Sequence, residues 1–340
     1  VTTNLKNKTV LITGGAGAIG TQLIKKISPM CKNIIVIDDL SSGYLWNVPN
    51  VSNLLFVKGN ISNDIDLRRC FSEKPDIVFH LAAFFANQNS VDFPQRDLRT
   101  NGMGTLKLYE YCSLYGNIER VVYASSGCSI YGKNEMPYVE DKTDFMNLTT
   151  PYQVTKGLGE IYGRYFMHQK GLPVTFARFF NSFGPGEVPG QYRNVIPNFL
   201  YWAKLGKSLP ITGTGDETRD FTYVEDIVDG LIKMATCEEE NVIGNAFNLA
   251  AGREIKIKDL ATIINNIAGN QGNIIFKPRR NWDTKSRLLA SNEKAKKILN
   301  FKPDLDFTKG VIKANEWFDK NWDNIVKSAD FGPGFSSAVR

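Results

Sequence analysis

Residues 8–20, Lys-Thr-Val-Leu-Ile-Thr-Gly-Gly-Ala-Gly-Ala-Ile-Gly, constrain the fold of this chain more than any other stretch. A short apolar, β-branched run enters a glycine-rich turn and leaves it as an amphipathic segment beginning near Ala18. Strand, turn and helix in that order aim backbone N–H groups and the positive end of a helix at one point, where a pyrophosphate fits. Two spacings overlap, Gly15-x-Gly17-x-x-Gly20 and Gly14-x-x-Gly17-x-x-Gly20. One glycine allows the tight turn, one lets backbone approach the phosphates, and one lets helix and strand pack closely. A second apolar run, residues 33–37, ends in Asp38, where a βαβ unit presents an acid to an adenosine ribose. A carboxylate there accepts from both ribose hydroxyls and repels a 2′-phosphate. Asp39-Leu40-Ser41-Ser42 brings no arginine to receive that phosphate, so the chain reads as a binder of NAD rather than NADP.

The same rhythm continues. Residues 54–57 read as a third strand, 64–72 as a helix, and 75–83 as a fourth strand whose Ala82 and Ala83 suit close approach by a ligand. A long helical stretch over 92–115 carries Asn101 near its middle, and a fifth strand, 120–124, delivers Ser125 and Ser126 at its C-terminal end, where open α/β sheets place ligands. A polar loop over 132–150, a helix from 151 to about 169 and a sixth strand within 171–179 follow. Six such alternations predict an α/β fold with a doubly wound parallel sheet of Rossmann type over residues 1–180. Beyond Asn181 the segments shorten and gain glycine, with helical pieces near 195–205, 224–234 and 257–267. Residues 181–327 are expected to form a smaller mixed α/β C-terminal substrate domain, with some chain crossing back into the first, and 328–340 a loose tail.

The formal charge of +6 is spread along the chain, and no basic run marks a nucleic-acid or membrane face. Cys31, Cys70, Cys112, Cys128 and Cys237 show no C-x-x-C spacing, which fits reduced thiols. His80 and His168 are too few for a histidine-rich metal site, and no apolar run reaches membrane-spanning length. A soluble, cytoplasmic protein without a metal is expected.

Tyr152 and Lys156, four residues apart at the start of a helix, share one face. An ammonium beside a phenol favours the phenolate, lowers the tyrosine pKa and makes it a usable base near neutral pH. A second Tyr-x-x-x-Lys, Tyr138 with Lys142, lies in a loop-like context and reads as a decoy.

Together with His80-Leu81-Ala82-Ala83, Asn101-Gly102-Met103-Gly104-Thr105, Arg178-Phe179-Phe180-Asn181-x-x-Gly184-Pro185 and Arg219-Asp220-Phe221-Thr222-Tyr223-Val224-x-Asp226, these motifs stand in a familiar order. From about Thr9 to Gly310 the chain resembles the extended short-chain dehydrogenase/reductase family, in particular its nucleotide-sugar epimerases and dehydratases. The resemblance implies that Gly14, Gly17, Ala18, Ile19, Asp38, Asp39, Ser41, Asn60, Ile61, Leu81, Ala82, Ala83, Asn101, Ser125 and Phe179 hold NAD. Lys156 would bind the nicotinamide ribose, and Tyr152 would take the proton of a sugar hydroxyl as hydride leaves the same carbon. Ser126, Asn181, Asn194 and Val195 match substrate positions, Arg219 and Arg280 would clamp a diphosphate, and Asp283 would accept from the substrate ribose. A homodimer built on the two long helices is also implied.

The departures from the family pattern carry information of their own. The serine or threonine that lies four residues before the Tyr-Gly pair is Gly127 here, so either water, Ser126 or Ser129 replaces its hydroxyl or the step is slower, which lends weight to a one-way oxidation. Cys128 and Ser129 stand where 4,6-dehydratases carry an Asp-Glu pair, which disfavours elimination of water, and Asn60 replaces an adenine-contacting acid. The leading expectation is NAD-dependent oxidation of a nucleotide-diphosphate sugar at C4, as a sugar-nucleotide 4-epimerase. The alternative is a net 4-dehydrogenase, for example of a GDP-heptose in capsule biosynthesis, with an external acceptor to recycle NADH. A third reading is a non-catalytic nucleotide-sugar or NAD sensor.

Overall fold

In the computed structural model, residues 5–115, 117–238 and 240–332 are described. Strands β1 (Thr9–Thr13), β2 (Asn33–Asp38), β3 (Leu54–Lys58), β4 (Ile77–His80), β5 (Arg120–Ser126) and β6 (Val174–Phe179) form one sheet. A seventh strand, Ala246–Leu249, joins the edge of β6. All neighbours run parallel, in the order 246–249, β6, β5, β4, β1, β2, β3. Strand order therefore reverses between β1 and β4, and the C-terminal ends of those two strands open the crevice where such sheets bind ligands.

The central strands are apolar on both faces because helices cover both. Helix α1 (Ala18–Ile27) and the helix Val224–Thr236 bury Leu23, Ile24, Ile227 and Leu231 against Val10, Ile12, Val36 and Phe79 on one face. On the other face, α2 (Asp64–Phe71) packs beneath a composite helical stretch. That stretch begins with α3 (Asn87–Asp92) and breaks at Phe93, because a residue before proline is held out of the helical region. It resumes as α4 (Pro94–Asp97), runs through a π-helical segment, Leu98–Gly104, and ends as α5 (Thr105–Leu114). The long helical stretch expected over 92–115 thus breaks at Phe93 and passes through a π-helical segment, and it starts earlier than the periodicity implies. Helix α6 (Pro151–Lys170) begins on the Thr150 side-chain cap with proline in its first turn.

A separate apolar cluster organises the C-terminal part around Phe183, Phe199, Trp202, Leu209, Phe221, Leu260, Phe307 and Phe318. Other parts of the span 181–327 lie against the large sheet. The helix Val224–Thr236, the strand Ala246–Leu249 and the helix Glu293–Leu299 all pack into the core of the large sheet. The tail is also less loose than its sequence implies. Phe331 is buried against Tyr201 and Trp202, and Gln191 N–H donates to the Asp330 carbonyl; residues 333–340 lie outside the described residues. No described helix is long and apolar enough to cross a membrane.

Candidate active site

A cavity of about 510 Å³ opens along the C-terminal edge of the sheet and runs from Asp38 to Tyr152 and Lys156. A second cleft of about 260 Å³ continues it into the C-terminal part, and Asn87, Cys128, Asn181 and Asn194 stand on the wall common to both.

The first half is shaped for a dinucleotide. Gly14 has a φ of +72°, and a Cβ there would stand 2.6 Å from the Ala82 backbone nitrogen, so only glycine lets the β1 turn lie against the β4 loop. The N-terminus of α1 carries no side-chain cap and no acid in its first turn, leaving its N–H groups for a phosphate. Asp38 is held in place by the N–H groups of Ala16 (2.9 Å) and Leu40 (2.8 Å), with lone pairs to spare for ribose hydroxyls. Asn60 donates to Asp39 at 3.0 Å, and both line the adenosine end with Ser41 and Ile61. His80, driven down to about 3 by burial and by the charge of Lys156, stays neutral between Thr13 (2.7 Å) and Thr105 (2.9 Å).

All but one of the cofactor residues expected from the sequence line this cavity. Asn101 is the exception: it sits behind the wall, and its amide accepts from Phe84 N–H at 2.8 Å and donates to Asp97 at 2.7 Å. It braces the loop 84–86 that forms the wall. Ser125 lines the cavity, but its hydroxyl turns away to donate to Glu160 at 2.6 Å.

The chemistry concentrates where β5 meets α6. Tyr152 N–H donates to Ser90 Oγ at 3.0 Å, which ties the start of α6 to α3. Lys156 Nζ donates to the Ala124 carbonyl at 2.8 Å and lies 5.7 Å from the centre of the Tyr152 ring. Burial brings its ammonium down to about 8, partly offset by Asp97. The phenol of Tyr152 differs from the sequence expectation: burial pushes its pKa up, and the charges of Asp97 and Cys128 add to the rise. The reason is geometric. The Lys156 ammonium is aimed at the Ala124 carbonyl, and burial of the phenol dominates.

Ser126, the residue before Gly127, brings a hydroxyl to the cavity wall. Ser129 Oγ donates to Ser126 Oγ at 2.7 Å, which leaves the Ser126 proton to be donated into the cavity it lines. Gly127 is itself enforced by packing, since a Cβ there would stand 1.9 Å from the fully buried ring of Phe180. Restoring the family hydroxyl with Gly127→Ser is therefore expected to cost about 1–3 kcal/mol by overpacking and to leave turnover no faster. Urea unfolding and steady-state rates on the same preparation check both halves. In the second motif Tyr138 is buried against Tyr131 in a loop, and Lys142 is exposed.

In the second cleft, Asn194 precedes the helix Val195–Lys204, whose first turn holds no acid. Arg219 and Asp283, expected to serve a diphosphate and a ribose, hold one another through two contacts of 3.2 Å, and Arg280 lies beside them. Sequence reasoning missed Ser90, Asp97, Glu160 and Lys285; Glu160 stands at helical spacing, four residues after Lys156 on α6, while the others are brought in by the tertiary fold. It also missed Arg193, which bonds the Ser42 carbonyl across the first cavity. With Asn47 donating to Gly186 O and Tyr44 to Ser328 O, that bond straps the C-terminal part over the adenosine end.

The profile of the NAD-dependent epimerase/dehydratase family matches residues 10–250. The UDP-glucose 4-epimerase of Mycolicibacterium smegmatis is 32% identical over 313 residues, covering 91% of this chain and 97% of that protein. The structure of the epimerase Mth375 from the pseudomurein-containing methanogen Methanothermobacter thermautotrophicus is 51% identical, with a TM-score of 0.94 over 96% of each chain. That of Bordetella bronchiseptica WbmF, solved with NAD+ and UDP, is 35% identical, with a TM-score of 0.83 over 95% of this chain and 96% of that one.

Proposed function

This chain belongs to the NAD-dependent epimerase/dehydratase family, and we propose that it oxidises a UDP-sugar at C4 and returns the hydride to the opposite face, as a sugar-nucleotide 4-epimerase. The observation that carries this reading is the meeting of Tyr152, Lys156 and Ser126 on one cavity that continues into a cleft lined by Arg219 and Arg280. Bound NAD supplies a reversible hydride acceptor at the nicotinamide end of the cavity. Tyr152 takes the proton of the C4 hydroxyl as that carbon is oxidised and gives one back after the ketone has turned. Ser126 donates to the same oxygen, and Lys156 orients the ribose beside it. Arg219, Arg280 and the N-terminal turn after Asn194 hold the diphosphate. Uridine is chosen over other bases because UDP recurs among the relatives.

Two features favour epimerisation over the net dehydrogenase. The strap formed by Arg193, Asn47 and Tyr44 opposes release of a dinucleotide, as suits a cofactor regenerated in place. The weight that the missing hydroxyl at Gly127 lent to a one-way oxidation falls away if Ser126 serves. Elimination of water has no acid-base pair at Cys128 and Ser129. Incubation with UDP-glucose, UDP-galactose and their N-acetyl and uronic acid forms, with no NAD added, is expected to give the C4 epimer by NMR. Accumulation of a 4-keto sugar with NADH would favour the dehydrogenase instead.

The homodimer is part of the same proposal. Val154, Ile161 and Tyr165 on α6, with Leu98 and Met103 beside them, are each about half exposed, an apolar face that a second copy would cover. Ile161→Asp is expected to halve the mass seen by light scattering, from twice 38.1 kDa to that of one chain; an unchanged mass places the contact elsewhere.

A further inference from the structure

The cleft that continues the site holds a cation that a neutral hexose leaves without an opposite charge. Lys285 lies in the loop between the strand Ile274–Lys277 and the helix Glu293–Leu299. Its Nζ is 3.4 Å from the Cys128 carbonyl oxygen and 4.9 Å from the centre of the Tyr138 ring. Among the described residues it forms no ion pair. Asp144, an acid in its surroundings, is engaged by Lys133 N–H and the Asn147 amide. The carboxylates lining the cleft are committed as well. Asp283 faces Arg219 and Arg279, and Glu217 accepts from the N–H groups of Thr214 and Gly215. The neighbouring walls, Asn87, Gln88, Gln153 and Asn181, are neutral amides, and the Arg193 guanidinium turns away to Ser42. Burial and the like charge of Arg219 both work against the Lys285 ammonium.

Position then selects the group it would meet. Cys128 lies two residues beyond Ser126, in the turn that faces the reacting C4 hydroxyl. A cation resting on Cys128 therefore lies where the cavity meets the cleft, within reach of a substituent on a carbon flanking C4 and near enough to Arg219 to feel its charge. Burying an ammonium without a counter-charge is unfavourable, and a ligand carboxylate relieves it while forming a charge-assisted hydrogen bond.

Resting on the C4 reading above, we propose that Lys285 recognises a carboxylate on the sugar next to the reacting carbon, so that the preferred substrates are nucleotide-diphosphate sugar acids rather than neutral hexoses. A C6 carboxylate, as in a hexuronate, and a carboxyl-bearing ether on O3 both present this chemistry. Inversion at C4 leaves either one intact: a sugar acid enters, its C4 epimer leaves, and no further oxidant or proton is consumed.

The test is calorimetric binding of UDP, UDP-glucose, UDP-glucuronate and a UDP-hexose carrying a lactyl ether on O3 to the NAD-loaded protein, as wild type, Lys285→Met and Lys285→Arg. The wild type is expected to bind one of the two acids at least about tenfold more tightly than UDP-glucose; which acid wins locates the carboxylate at C6 or at O3. Lys285→Met is expected to bring that ratio within about twofold while leaving UDP unchanged, and Lys285→Arg to keep the preference. Equal binding of acids and UDP-glucose by the wild type overturns the proposal. So does an equal loss for all four ligands in Lys285→Met, which would assign the lysine to the diphosphate. If the methionine variant does not fold, the wild-type ratio and the arginine variant decide. Failure of UDP itself to bind overturns the nucleotide-sugar reading and this inference with it. A preference for acids without any C4 inversion upholds Lys285 and overturns only the reaction.

Discussion

Tyr152→Phe is expected to lower kcat by about a thousandfold, within the range for losing a general acid–base group, while the affinity for NAD stays within about twofold. The argument rests on placement. Only the phenolic oxygen is removed, and the ring keeps its edge-on packing against Phe85 and its place on α6. In the proposed site NAD would be held chiefly by the β1 turn, Asp38 and Lys156, none of which the substitution touches. Because burial pushes the Tyr152 phenol above its ordinary value in the protein alone, its use as a base depends on positive charge brought next to it. Steady-state rates and a calorimetric titration of NAD check the two halves together. A variant that keeps more than about a tenth of wild-type kcat would move the proton transfer to another group.

Glu160→Gln is expected to cost about 3–5 kcal/mol of folding stability, the cost of stranding a buried charge. Glu160 and Arg178 are almost fully buried and form a two-pronged pair at 2.9 and 2.7 Å. Ser125 donates to the same carboxylate, while Arg178 also donates to the Tyr131 hydroxyl (3.0 Å) and the Glu140 carbonyl (2.8 Å). Tyr131 in turn donates to Asn248 on the edge strand, at 2.5 Å. One carboxylate thus joins β5, α6 and β6, and through them fixes Tyr152 and Lys156 opposite Ser126. Replacing both partners, with Glu160→Leu and Arg178→Met, is expected to recover part of the loss, because no charge is left unpaired. Urea unfolding of the single and double variants decides; a single variant within 1 kcal/mol of wild type would show the pair to be dispensable.

The sheet is legible in the chain because its strands are short apolar runs that alternate with helical segments. The edge strand Ala246–Leu249 is not, being four residues long and about 70 residues beyond the strand it joins. Pro94 announces the break in the long helix, but apolar periodicity continues past it and masks the stop. Ser125 and Ser126 look equivalent in sequence, yet successive strand residues face opposite ways, so only one can aim its hydroxyl at the substrate. Glu160, 35 residues distant, takes the Ser125 hydroxyl and leaves Ser126 as the candidate. Gly127 reads as a loss in the sequence and as a necessity in the structure, since nothing near it announces that the Phe180 ring occupies its side-chain space. Lys285 is the extreme case: its meaning comes from a carbonyl 157 residues away.

The most direct test of the central claim uses a UDP-sugar deuterated at C4, followed by NMR in ordinary water with no NAD added. Hydride withdrawn and returned within one closed site predicts a C4 epimer that keeps its deuterium, with no standing absorbance from NADH. Epimer that has exchanged its deuterium for a solvent proton would contradict the account.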